Sequence, residues 1–185
     1  PSTEPQTAAI KAWTDWVISD FPDEASALTS NAAPDDATIL QQLSQTDWST
    51  GDVVRGQQLF NTRSCIQCHG GRQSLGPDLA GAAKRFSRDD LFTAIINPNR
   101  DVSSRYQTTM LVTSAGKAYT GLLIYEAVDG VILRNATNQT FRIETSDIEI
   151  RRQLPQSLMP AGLLKGATSQ NLADLYAYLQ SLGLN

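Results

Sequence analysis

The pentapeptide Cys65-Ile66-Gln67-Cys68-His69 gathers both cysteines and the sole histidine of a 185-residue chain. Cysteines three apart on a helical turn project from one face, so both thiols can reach the two vinyl groups along one porphyrin edge. A histidine one position further along can turn an imidazole nitrogen onto the iron. At this chain's Cys and His frequencies the spacing would arise by chance with odds on the order of one in ten thousand. The pattern therefore predicts one haem c, covalently held through Cys65 and Cys68 and ligated by His69. It points to an electron carrier, with the protein controlling ligation, polarity and access.

Three other uses of the motif fit less well. A structural zinc site takes four Cys or His ligands, and the chain has only three such side chains. A thioredoxin-like pair sits between a strand and a helix, normally without an adjacent histidine ligand. A disulfide between residues three apart would be strained and would close almost no loop.

Composition sets the remaining bounds. With 41% hydrophobic and 18% charged residues, the chain is ordinary globular material, long enough for one well-buried core and an accessory unit. No apolar run approaches the length of a membrane span. Pro1 is not followed by a basic and then apolar leader, so an export signal is expected to have been removed or to lie in a longer precursor. Haem attachment of this kind nevertheless places the protein in the periplasm or otherwise outside the cytoplasm, where c-type maturation takes place in bacteria. The net charge of −4 becomes more negative with two haem propionates, which argues against a nucleic-acid partner. It mildly favours docking surfaces rich in lysine.

Residues 1–50 hold no candidate ligand and read as a helical extension. Ile10, Trp13, Trp16 and Val17 follow helical spacing until Phe21-Pro22, with the tryptophans expected in a core or against a neighbour. Asp35 or Asp36 is the candidate cap of a second helix bearing Ile39, Leu40 and Leu43. From Gly51 a helix carrying Val53, Val54, Leu59 and Phe60 leads into the motif. Ser87, with Asp90 three residues on, opens another that carries Leu91, Phe92, Ile95 and Ile96 and stops at Asn97-Pro98. Thr168 or Ser169 caps a last helix with Leu172, Leu175, Tyr176, Leu179 and Leu182 on one stripe. Residues 104–152 differ in kind. Tyr106 to Thr113, Ala118 to Tyr125, Val131 to Asn135, Thr140 to Glu144 and Ile148 to Arg151 are β-branched or alternating, with turn residues between them. They predict a small antiparallel sheet or partial barrel inserted between 51–103 and 153–185.

With one histidine, an in-chain bis-histidine haem is impossible, and Met110 and Met159 are the only thioethers. Met110 falls in a predicted strand, on the face of Tyr106 and Val112, where core packing is the plain explanation. Met159 sits in Ser157-Leu158-Met159-Pro160, an irregular stretch ahead of the last helix. A methionine on a proline-fixed loop suits a haem face, and its soft sulfur favours ferrous iron and raises the potential. Met159 is the preferred sixth ligand, with gap-filling as the alternative.

Gly56-Gln57-Gln58-Leu59-Phe60, Cys65 to Gly70, Gly76-Pro77-Asp78-Leu79 and Met159-Pro160 ahead of a Leu/Tyr-rich helix resemble class I cytochromes c over 51–103 and 153–185. More specifically, Arg85 to Leu91, Pro98-Asn99-Arg100, Asp129-Gly130 and Ser157 to Pro160 resemble the C-terminal haem-binding domain of large planctomycete and verrucomicrobial proteins. There the domain follows a sugar-dehydrogenase-like propeller and helical repeats. The resemblance implies a mainly α cytochrome c fold with an inserted sheet, α+β in sum, behind an N-terminal helical extension. It also implies that the Pro77 carbonyl orients His69, that Leu79 walls the pocket and that Arg85 bonds a propionate. A turn proline, a core leucine and a solvated charge are the plain alternatives. Gly70 and Gly71 would admit the haem edge or end the turn.

The function expected is one-electron transfer from a dehydrogenase donor to a downstream acceptor, with no substrate chemistry in the chain. The inserted sheet is expected to cover the haem, or else to offer a docking or homodimer surface. A haem sensor or peroxidase-like protein with an open or displaceable sixth site is the alternative. An adhesion module would need an exposed aromatic patch among Tyr106, Tyr119, Tyr125 and Phe141.

Overall fold

The computed structural model describes residues 4–20, 34–71 and 74–183, and the chain divides into compact units 1–38 and 39–185. The first unit contains helix α1, Glu4–Asp20. Trp13 and Trp16 are exposed on it, so the core position expected for them is not where they lie. An i,i+4 ion pair joins Lys11 to Asp15 at 2.6 Å, a solvent-exposed contact of small worth. Phe21 and Pro22 lie outside the described residues, as do the side chains of Ile10 and Val17.

Helix α2, Pro34–Gln45, begins on its proline, which suits a first-turn position where no intrahelical N–H is needed. Asp35 and Asp36 therefore fall inside the first turn rather than at its cap. Beyond the unit boundary Ile39 is buried, and Leu43 and Trp48 pack against the same cluster. That cluster is built by two longer helices, α3, Val53–Thr62, and a C-terminal helix, Ser169–Ser181. Asp52 caps α3 by accepting from the Arg55 amide. At the C-terminal helix Thr168 accepts from the Asn171 N–H, and the Asn171 side chain accepts from the Thr168 N–H, a reciprocal pair that satisfies two otherwise orphaned donors. Its Leu172, Leu175 and Leu179 recur at helical spacing and are all buried, against Phe60, Phe92, Ile96, Leu164 and Ala167.

Between these helices lie three shorter ones: α4, Cys65–His69; α5, Ala82–Arg85; and α6, Arg88–Ile96. Ser87 caps α6 through the Asp90 amide. Phe92 of α6 is fully buried and meets the Trp48 ring at a centroid distance of 5.4 Å. Trp48 also meets Tyr176 edge-on at 5.6 Å, and the Arg88 guanidinium lies 4.2 Å above the indole. The C-terminal helix is α7 in this order.

Five antiparallel strands separate α6 from α7: β1, Thr108–Thr113; β2, Ala118–Glu126; β3, Gly130–Arg134; β4, Thr140–Glu144; and β5, Ile148–Leu154. Their spatial order is β4-β3-β2-β1-β5, a meander whose last strand returns to pair with the first. Irregularities at Leu123/Tyr125 and at Val112/Thr113 bend the sheet, as bulges do. Leu111, Val131, Leu133 and Ile143 form its own core, distinct from the helical one. The fold is thus mixed α+β. Tyr106 departs from the expected first strand, because Ser104–Tyr106 is a 3-10 turn. Met110, opposite Thr120 and Arg152, lies on the other face from the core residue Leu111, so core packing does not explain it either. β5 runs three residues past the expected Arg151, and that extension delivers the chain to Ser157.

Candidate functional site

The haem motif is positioned by a sharp turn. Arg63 ends α3, and Ser64 takes a left-handed conformation with φ 62°, so that Cys65 opens a new helical turn at once. Cys65, Cys68 and His69 are half-buried on this turn, and both cysteines are free. Burial pushes both thiols up from their ordinary value, the reverse of the lowered thiol in a redox-active pair. Gly70 continues the turn by donating to the Ile66 carbonyl at 2.9 Å, and Gly71 then takes a positive φ of 107°.

His69 Nδ1 lies 2.9 Å from the carbonyl oxygen of Pro77. A carbonyl only accepts, so the proton is on Nδ1 and the Nε2 lone pair is left for a metal. Nε2 has no hydrogen-bond partner among the described residues. The loop that supplies Pro77 is built tightly against the ring. Gly76 donates to the Cys68 carbonyl at 2.7 Å, and a Cβ at Gly76 would stand 2.6 Å from His69 Cε1. Leu75 is buried, and Leu79 packs against the helical core. Asp78 accepts from the Ala80 amide, and the exposed Arg85 donates from Nη1 to the Ala80 carbonyl at 2.8 Å. Arg85 thus braces the Pro77–Leu79 loop with one N–H and has further donors to offer an anion.

Met159 is half-buried, and its segment is tied down on both sides. Its amide donates to Ser157 Oγ at 3.0 Å, and the Ser157 amide donates to Asn99 Oδ1 at 2.9 Å. Beyond it, Arg63 Nη1 donates to the carbonyls of Leu163 and Lys165, at 3.2 and 2.7 Å. Arg63 precedes Cys65 by two residues, so the chain just after Met159 is bonded to the chain just before the motif. Met110 has no such link; its strand is laddered to β2 and β5. Residue type and spacing give no role to Asn99, Ser157, Arg63 or Gly76. Gly76 and Asn99 belong to the Gly76–Leu79 and Pro98–Arg100 motifs, but nothing in the sequence gives the bond from Asn99 to Ser157, 58 residues apart.

The chemistry of this donor set fits a covalently tethered porphyrin. Two neutral thiols share a turn with an imidazole whose tautomer is fixed for metal binding, and a thioether loop is bonded to the same region. Among the described residues no group of three or more His, Cys, Asp or Glu is placed to hold a metal ion unaided.

Residues 53–127 match the family model for cytochrome c. Over these residues the chain is similar to cytochrome c. The match supports covalently bound haem c and one-electron transfer with redox partner proteins. The match spans α3, the motif and the Pro77 loop and ends within the inserted sheet, leaving Met159 and α7 outside it. No curated protein matches the chain. No helix among the described residues is long and apolar enough to cross a membrane. Within the sheet Tyr119 and Phe141 meet at a tilt, with ring centroids 5.2 Å apart, and pack against its core, and Tyr106 is half-buried. Tyr125 alone of the four aromatics is exposed, so the patch an adhesion module would need is missing.

Proposed function

We propose that the chain is a single-electron carrier outside the cytoplasm, with one haem held by Cys65 and Cys68 and ligated by His69 and Met159. When bound, the haem supplies a reversible ferrous–ferric couple. Pro77 fixes the histidine ring and raises its basicity, Gly76 lets the backbone close against that ring, and Leu79 forms an apolar wall. Arg85 offers its remaining guanidinium donors to a propionate. The methionine loop would offer its thioether to the iron and keep water from it, which would favour the ferrous state. With His69 and Met159 as its ligands the haem would supply electron transfer and no substrate chemistry. It takes electrons from a dehydrogenase of the sugar-oxidising type and passes them to a downstream carrier through a small, transient contact.

The observation that carries this reading is the pair of hydrogen bonds from Arg63, beside the motif, to the segment that follows Met159. The test is Met159→Ala in protein matured with haem. Loss of the far-red band of thioether-ligated ferric haem, carbon monoxide binding to the reduced form and a fall in potential are expected. A variant that stays low-spin and six-coordinate with an unchanged potential refutes the ligand. Ready carbon monoxide binding by the unaltered reduced protein would favour the sensor or peroxidase-like alternative instead.

A further inference from the structure

We infer that Asn99 is a positioning residue for the sixth ligand, acting through Ser157; the inference rests on the proposed ligation by Met159. Asn99 lies three residues past the end of α6, in the segment that leaves the helical core for the sheet. Its Oδ1 receives the Ser157 N–H at 2.9 Å, and Ser157 Oγ receives the Met159 N–H at 3.0 Å. The two bonds form a relay from the segment that enters the inserted sheet to the backbone of the methionine itself.

The sheet holds the same loop from its other side. Thr108, the first residue of β1, pairs with Leu154, the last of β5, and its amide donates to the Gln156 carbonyl at 2.9 Å. Gln153 Nε2 reaches the Ser104 carbonyl at 3.2 Å. The entry and exit of the insertion are therefore bonded to each other, and Ser157 follows directly. After Met159 the chain is fixed by Arg63 and by the buried Leu164 and Ala167. Between these anchors lies the short stretch from Leu158 to about Gly162, and Asn99 sets the angle at which it starts. The inserted sheet serves as a strut, a role that differs from covering the haem.

Asn99 is exposed beside an open crevice of about 540 Å³ that is lined by Arg100, Val102, Gln107 and Pro155. Truncating it leaves no buried hole, so Asn99→Ala should fold. The loss of one hydrogen bond should favour displacement of the methionine about fivefold, read as a fall of roughly 0.7 pH unit in the midpoint at which alkali bleaches the far-red band. Ser157→Ala should act in the same direction, and the double variant should show less than the sum of the two, since both break one relay. Asn99→Asp keeps an acceptor oxygen and should restore most of the midpoint. Each is measured on haem-loaded protein beside Met159→Ala, with thermal unfolding followed in parallel.

Shifted midpoints in Asn99→Ala and Ser157→Ala with rescue by Asn99→Asp, at an unfolding temperature near that of the parent protein, support the relay. Midpoints equal to the parent's, while Met159→Ala loses the band, overturn the positioning role and leave the ligand intact. A band that survives Met159→Ala overturns the ligand and this inference together.

Discussion

Replacing Asp174 should cost this protein more stability than removing any of its exposed ion pairs, because one carboxylate ties α3 and α7 together. Its side chain is 3% exposed. Oδ2 receives Arg55 Nε at 2.8 Å, while Oδ1 receives Arg55 Nη2 at 2.7 Å, the Asp52 amide at 2.9 Å and Gln170 Nε2 at 2.9 Å. The Arg55 side chain, in contrast, is 53% exposed and regains water when its partner is removed. That rehydration keeps the loss at the low end of the ~3–5 kcal/mol typical of breaking a fully buried pair. Two charge-assisted bonds at the low end of their range, about 1.5 kcal/mol each, set the expected cost of Asp174→Ala at about 3 kcal/mol. For a chain of this size that corresponds to a drop of roughly 6–12 °C in unfolding temperature. The arginine and the other donors hold the carboxylate below its ordinary value of 3.8. A group depressed on folding contributes stability that is complete above its unfolded value and fades as pH falls through its lower folded one. Asp174→Ala should therefore cost most above about pH 4 and progressively less in stronger acid. The assay is thermal unfolding of the haem-loaded parent, Asp174→Ala, Arg55→Ala and the double variant across pH. A loss under about 1 kcal/mol, or additive single losses, would refute a coupled clamp.

Two glycines give further tests. Gly56→Ala gains about 1 kcal/mol of helix propensity, yet its Cβ would stand 2.0 Å from the Asp174 carbonyl oxygen on the facing helix. Since backbone cannot yield as a side-chain end does, a net loss of about 2 kcal/mol or more is expected in urea unfolding, and a variant as stable as the parent would mean that α3 and α7 do not cross there. Gly76→Ala would press a methyl group to within 2.8 Å of His69 Nδ1 and should break the bond to Pro77. Reduced covalent haem incorporation and a shifted potential are expected, and normal values of both would count against the close loop.

How far the sequence anticipated these features depends on the range of the interactions. Motif spacing, caps and hydrophobic period are local, and they located the haem turn, the Ser87 and Thr168 caps and the buried stripe of Leu172, Leu175 and Leu179. The strands were legible through alternation, but their ends were not. Tyr106 has a strand-forming side chain, yet the Ser103–Gln107 backbone closes a 3-10 turn, and β5 extends to Leu154 because β1 is there to pair with it. The tryptophans of α1 follow helical spacing, but spacing alone does not say that anything covers the face they share. Asp174 sits on the same helix as the leucine stripe, and nothing in residue type or period points to its partner Arg55, 119 residues away. The relay from Asn99 to Met159 is likewise a product of the chain's path, with no trace in residue type or period.

That same path changes what the net charge means for docking. Residues 1–50 contain eight acidic residues and one basic residue, a net −7, whereas residues 51–185 contain fourteen basic and eleven acidic ones, a net +3. The overall −4 is thus a property of the N-terminal stretch and not of the haem-bearing part. Two propionates leave that part near neutrality, so the preference for a lysine-rich partner drawn from the whole chain rests on the charge of the N-terminal stretch. Several surface charges of the inserted sheet are also matched within the fold, with Arg142 on Asp129 and Glu144, and Arg151 on Glu126. Ion pairs so exposed add little stability, but they shorten the reach of the field that would steer an encounter. A nearly neutral, internally paired surface associates without strong electrostatic guidance, at rates that depend little on ionic strength. Specificity for a redox partner then has to come from shape and apolar contact around the haem edge, or from a partner held nearby by the chain itself.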